Sequence, residues 1–187
     1  MDVTVMTQGL AFPEGPVALS DGAVLVVEIQ RGTLTRVAED GTQSIVAELG
    51  GGPNGAALGP DGHCYICHNG GFEWHKGRDG RVFPGEQPAN YTGGRIERVD
   101  LKTGAVETLY EACNGERLKG PNDLVFDQTG GFWSYSGASI TGGFVTDLGA
   151  IARVSGSATW SGGLSASASD DSDGTNKEFD LPLQYRI

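Results

Sequence analysis

Three residues able to bind a hard cation recur at the same place in a repeated pattern: Glu14, Asn54 and Asn122. Each follows a proline, in Pro13-Glu14-Gly15, Pro53-Asn54-Gly55 and Pro121-Asn122-Asp123. One carboxylate and two amide carbonyls are hard oxygen donors, suited to calcium or magnesium rather than to copper or iron. If the repeats are equivalent units, these side chains enter the same strand at the same end and converge on a common axis. An Asn ahead of a strand also serves turn chemistry, because it tolerates the required backbone and caps locally. At Asn54, placed by the repeat alone, both roles stay open. Arg117, just ahead of the third motif, either reaches a polar substrate or is an ordinary surface arginine. No catalytic residue is singled out.

The elements that must position these groups are short strands. In each motif the Pro and a later Gly stand 9 positions apart: 13 to 22, 53 to 62 and 121 to 130. Apolar stretches fill the interval (Val17-Ala18-Leu19, Ala56-Ala57-Leu58, Leu124-Val125-Phe126), and a second apolar run follows the Gly. Strand, Asp-Gly-like turn and strand make the hairpin signature. Two further strands follow in the first two units, residues 33–37 and 44–49 around Asp40-Gly41, then 95–100 and 106–110 around Lys102-Thr103-Gly104. Four-stranded units recurring at about 40–45 residues mark propeller blades. The expected fold is therefore all-β, an incomplete β-propeller of four-stranded antiparallel blades.

The expected blades lie near residues 10–50, 51–112 and 118–154, a partial propeller over 1–154. The second motif spacing is longer than the first (53 to 121 against 13 to 53), and the excess falls mostly in residues 69–94. That stretch is polar and rich in Gly and Pro, with no strand pattern. Long connections of this kind are usually functional or disordered, and Phe72, Trp74 and Tyr91 suit it to a substrate rim. After Ser134 the pattern degrades: the last expected strand is residues 149–154, and Trp160-Ser161-Gly162-Gly163 carries no fourth motif. Residues 155–187, rich in Ser, Gly and Asp, have the composition of a flexible tail.

Composition narrows the partners. The chain has 31 Gly among 187 residues, well above average usage, and a formal net charge of −11. Such an acidic surface argues against sequence-independent nucleic-acid binding, which needs basic groups to displace counterions. No apolar run approaches membrane-spanning length, and the N-terminus lacks a basic leader pattern. Three cysteines form no disulfide framework, so the expected compartment is the cytoplasm. An open propeller edge would invite self-association.

The motifs taken together resemble the senescence marker protein, gluconolactonase and luciferin-regenerating enzyme family. The residues that carry the resemblance are Phe12-Pro13-Glu14-Gly15-Pro16, Gly52-Pro53-Asn54-Gly55, Tyr65-Ile66-Cys67-His68-Asn69-Gly70-Gly71-Phe72 and the run from Arg117 to Val125. Members of that family are six-bladed propellers, so the resemblance implies about three blades of six here. It also implies a divalent cation, calcium foremost, with Glu14 as a ligand and Asn122 as a ligand or a substrate contact. The implied activity is hydrolysis of a sugar lactone or similar small ester, the cation polarising the carbonyl while a water attacks. The rival reading is a non-catalytic propeller fragment or binding module.

Other patterns carry less. Cys64-x-x-Cys67-His68 has the form of a haem-attachment motif, but it lies in an expected strand. Alternation places Cys64 and Ile66 on one face and Tyr65 and Cys67 on the other, the arrangement of packed small hydrophobes. A zinc site from His63, Cys64, Cys67 and His68 lacks a second ligand pair at suitable spacing. His75 reads as a solvated loop residue, and Asp170-Asp171-Ser172-Asp173-Gly174 as part of an acidic tail.

Overall fold

The chain was analysed as a computed structural model that describes residues 4–113, 116–136, 140–141, 144–145, 150–155 and 159–164. Among these residues there are strands and no helices, and no helix is long and apolar enough to cross a membrane. The first sheet holds β1 (Pro13–Ala18), β2 (Val24–Glu28), β3 (Thr33–Val37) and β4 (Gln43–Glu48) in chain order. The second holds β5 (Pro53–Leu58), β6 (Cys64–His68), β9 (Arg95–Val99) and β10 (Val106–Tyr110), with the β7–β8 hairpin (Trp74–Lys76, Val82–Pro84) inserted between β6 and β9. A small pair, β11 (Ala112–Cys113) and β12 (Glu116–Arg117), leads to the third sheet. That sheet holds β13 (Pro121–Phe126), β14 (Phe132–Ser136), β17 (Ala150–Ser155) and β18 (Thr159–Leu164), and the pair β15 (Ile140–Thr141) and β16 (Phe144–Val145) interrupts it. All pairings are antiparallel. These are three four-stranded blades of an incomplete β-propeller.

One turn recurs in all three blades. The glycine amide bonds back to a carbonyl three residues earlier: Gly22 to Leu19, Gly62 to Gly59 and Gly130 to Asp127. These three glycines sit near φ +80°, a conformation that side chains disfavour. Asp21 and Asp61 each accept the amide two residues ahead, locking the turn. The motif strands β1, β5 and β13 are the inner strands, with β5 packed between the other two.

The second blade is the filling of a sandwich. Cys64, Ile66 and Val99 pack with Leu25, Val27, Leu34, Ala47 and Leu49 of the first blade and its outgoing loop. Cys67 and Ile96 pack instead with Leu118, Leu124 and Phe132 on the third-blade side, where Tyr65 also lies. The alternation expected of β6 is therefore the observed one. Each large apolar side chain buried here contributes about 1.5–3 kcal/mol. Tyr65, Phe126 and Phe132 add an aromatic cluster, with Tyr65 edge-on to Phe126 at 4.9 Å.

Two expectations need correction. Residues 69–94 are not free of strands, because β7 and β8 pair around Asp79-Gly80, with Trp74 opposite Pro84. Three-residue strands are too short to show alternation. In addition, β18 falls within the Ser/Gly-rich stretch assigned to a flexible tail. It pairs with β17, Val154 opposite Trp160 and Ile151 opposite Leu164. Residues 165–187, including the acidic cluster at 170–174, lie outside the described residues.

Candidate functional site at the motif end of the blades

The three motifs open their strands at one end, and each strand carries a β-bulge there. In β5 the pairing passes from Pro53↔His68 to Gly55↔Cys67, leaving Asn54 as the extra residue. In β13 it passes from Pro121↔Ser136 to Asp123↔Tyr135, leaving Asn122. In β1 the irregularity falls one step later, between Glu14 and Val17, across Gly15-Pro16. Bulges re-aim side chains and end regular pairing. Here they release two amides from the ladder at equivalent positions.

Close backbone contact brings the motifs together. A Cβ on Gly15 would stand 2.6 Å from the Ala56 backbone N, and one on Gly55 would stand 2.7 Å from Asp123 Oδ1. Glu14 and Asn122 are exposed and Asn54 is half-buried. The structure thus brings Glu14, Asn54 and Asn122 to neighbouring inner strands, with the carboxylate of Asp123 beside them. Asp123 was not read as a site residue, since it stands where the other motifs have Gly. Its Oδ1 accepts the Leu124 amide at 2.8 Å.

The donors present fit a divalent cation in kind, being hard, accessible oxygens, but calcium takes about six to eight of them. No group of three or more His, Cys, Asp or Glu side chains able to hold a metal occurs among the described residues. Glu14 and Asn122 would hold such an ion together with water or substrate. The Arg117 guanidinium donates to the Thr92 carbonyl and fastens the end of the inserted segment. The Tyr91 hydroxyl does the same on the Lys119 carbonyl. His75 is exposed.

Aromatic rings gather beside the first motif. Phe12, next to the first motif, has φ 58°. Its ring centroid lies 5.2 Å from that of Trp74, which meets Phe72 edge-on at 6.1 Å.

Below the motif end lies a seam of buried polar groups. His68 and Glu28 occupy the same register position, opposite Pro53 and Pro13. Glu28 is fully satisfied: it accepts from Ala11 N at 2.5 Å, Arg31 at 2.8 Å and the Thr35 hydroxyl at 2.6 Å, with Thr33 beside it. On the second blade His68 stands opposite Arg95, and Glu97 one pleat further on. Arg95 bonds Glu97 at 2.5 Å and the Leu49 carbonyl at 3.0 Å. His68 Nδ1 accepts the Gly70 amide, which leaves the proton on Nε2. His68 Nε2, Asn69 Nδ2 and Glu97 Oε2 have no hydrogen-bond partner among the described residues, although these residues are only 1%, 9% and 3% exposed. Burial, with the Arg95 guanidinium adding, pushes His68 down to about 4. Burial raises Glu97, against the pull of Arg95.

Cys64 and Cys67 are buried on opposite faces, and burial pushes both thiols up to about 12. Cys67 Sγ lies 3.3 Å from Ser134 Oγ. Packed into different clusters on opposite faces of one strand, the two thiols do not face a common ligand.

Comparison with known proteins agrees with this architecture. The family model for the SMP-30/Gluconolactonase/LRE-like region matches residues 12–162. No curated protein matches the chain. Among solved structures, a presumed gluconolactonase from a structural genomics consortium superimposes with a TM-score of 0.58 at 20% identity, over 83% of this chain and 49% of that one. A Xanthomonas campestris gluconolactonase gives 0.54 at 19%, over 76% and 43%. The PQQ-bound aldose sugar dehydrogenase of Streptomyces coelicolor gives 0.54 at 22%, over 82% and 47%. The chain spans about half the length of these structures. At such identities they establish the fold alone, since one fold carries unrelated chemistries.

Proposed function

Because the chain belongs to the SMP-30/gluconolactonase/LRE-like family, we propose that it carries the cation-binding side of a lactone- or ester-hydrolysing propeller. The observation that supports this reading is the bulged motif end, where Glu14, Asn54 and Asn122 stand on adjacent inner strands. A divalent cation, calcium first, would be held by Glu14 and Asn122, with Asn54 facing substrate. When bound, it would supply Lewis-acid polarisation of the ester carbonyl. The chain's own groups then have three tasks. Glu14 supplies the negative charge that a cation needs. The two asparagine amides offer carbonyl oxygen to the ion or N–H to substrate oxygen. The Arg117 and Tyr91 bonds tie the end of the inserted segment to the chain leading into the third blade.

A second reading is a cation-binding module without turnover. It is favoured by the donor count, which falls short of a full calcium shell.

Calcium titration by calorimetry, paired with pH-stat hydrolysis of glucono-δ-lactone and of δ-valerolactone, separates the two. The hydrolase reading expects calcium-dependent turnover, and at least a tenfold loss of calcium affinity in Glu14→Gln. Calcium binding lost in that variant, with no turnover in the parent chain, selects the binding module. Absence of calcium binding overturns both.

A further inference from the structure

We infer that Phe12, Phe72 and Trp74 form an aromatic clamp that selects esters or lactones bearing an alkyl or aryl group. The inference rests on the ester-hydrolase reading of the adjacent site. Phe12 is the only non-glycine residue among the described ones with positive φ, at 58°. An aromatic residue is rarely found there. The position is doubly unfavourable because Pro13 follows, and a residue before proline is driven toward extended backbone. Strain of this kind persists only where the surroundings over-determine it, and it concentrates at ligand clamps.

The surroundings that hold Phe12 are visible. Its carbonyl accepts the Ile29 amide at 3.0 Å, fixing the backbone beside β2. Its ring meets Trp74 at 5.2 Å, which ties the β7–β8 hairpin of the second blade to the first motif strand. Phe72 completes the set from the same hairpin's approach. Phe12 nevertheless stays 37% exposed, so the rings line a surface rather than fill a core. One residue, Pro13, separates Phe12 from Glu14 in sequence, and both lie at the motif end.

The chemistry of the lining decides the ligand. Recognition of a polyhydroxylated sugar needs several convergent donors and acceptors. The three rings offer one, the Trp74 indole N–H. They offer instead broad apolar faces and edges, suited to hydrocarbon next to the reacting carbonyl.

The test compares δ-valerolactone with its δ-hexyl derivative in wild type, Trp74→Ala and Phe12→Gly. Glycine accepts the observed φ freely, so Phe12→Gly removes a ring without disturbing the backbone. Both variants should raise KM for the hexyl lactone about tenfold, with δ-valerolactone unchanged within twofold. Equal loss on both substrates, or no loss on either, overturns the clamp. Calorimetry with δ-valerolactam and its δ-hexyl derivative makes the same comparison without turnover. A chain that hydrolyses nothing, yet binds the hexyl lactam about tenfold more weakly in the variants, contradicts the hydrolase reading and supports the clamp. Turnover without chain-length preference does the reverse.

Discussion

A Cβ on Gly55 would lie 2.4 Å from the backbone carbonyl oxygen of Asn122, so the second and third motif strands meet backbone to backbone. No side chain fits between them. Gly55→Ala should therefore push the two blades apart at the site, at a cost of about 1–3 kcal/mol. Gly51→Ala is the control, since its Cβ would meet nothing nearer than Gly71 Cα at 4.0 Å. Urea midpoints measured for both variants should differ in that order, and equal midpoints would contradict the contact.

His68 makes stability depend on pH in a defined window. Its folded pKa, about 4, lies below the ordinary 6.5, so the unfolded chain binds the extra proton between these values. Stability contributed by the neutral imidazole is present above about pH 6.5 and is lost as pH falls toward 4. The full loss is on the order of 3 kcal/mol. His68→Gln has no such proton to bind. Unfolding free energies of the two proteins should converge in slope above pH 6.5 and separate below it. Parallel curves throughout would show that the imidazole is not held neutral.

The thiols should report the sandwich. Cys64 and Cys67 are buried and protonated, whereas Cys113 is half-buried. Under native conditions a disulfide reagent should modify one thiol per chain, and the other two only after denaturant is added. Rapid modification of all three in the native state would mean that the second blade is not packed on both faces.

The sequence showed most of the scaffold and less of the site. Period-two alternation in Cys64-Tyr65-Ile66-Cys67 assigned both faces of β6, because strand geometry leaves no other choice. Gap-free motif spacing aligned the inner strands. The bulges at Asn54 and Asn122 were not legible, since an extra residue is defined only against its partner strand. Nor was the β7–β8 hairpin, whose strands are shorter than a repeat of the pattern. The positive φ of Phe12 has no signal in a residue type that avoids it. The pairing of His68 with Arg95, and of Ile66 with Glu97, joins strands separated by the inserted segment, so local composition holds no trace of it. For Arg117 the sequence left substrate contact and an ordinary surface role open, and the bond of its guanidinium to the Thr92 carbonyl is a backbone partner that sequence cannot name.

The polar seam does unequal work in the two blades. Around one register position the first blade carries Glu28 with Thr33 and Thr35, and the second carries His68 with Arg95 and Glu97. Glu28 is answered inside its own blade, by the Ala11 amide, Arg31 and the two threonines. Arg95 instead reaches back to the Leu49 carbonyl, at the end of the first blade. Losing that bond would leave a part-buried carbonyl without its donor, a fault costing about 1–3 kcal/mol. In the first blade the seam is a knot that closes a blade on itself; in the second it is a rivet between one blade and the next.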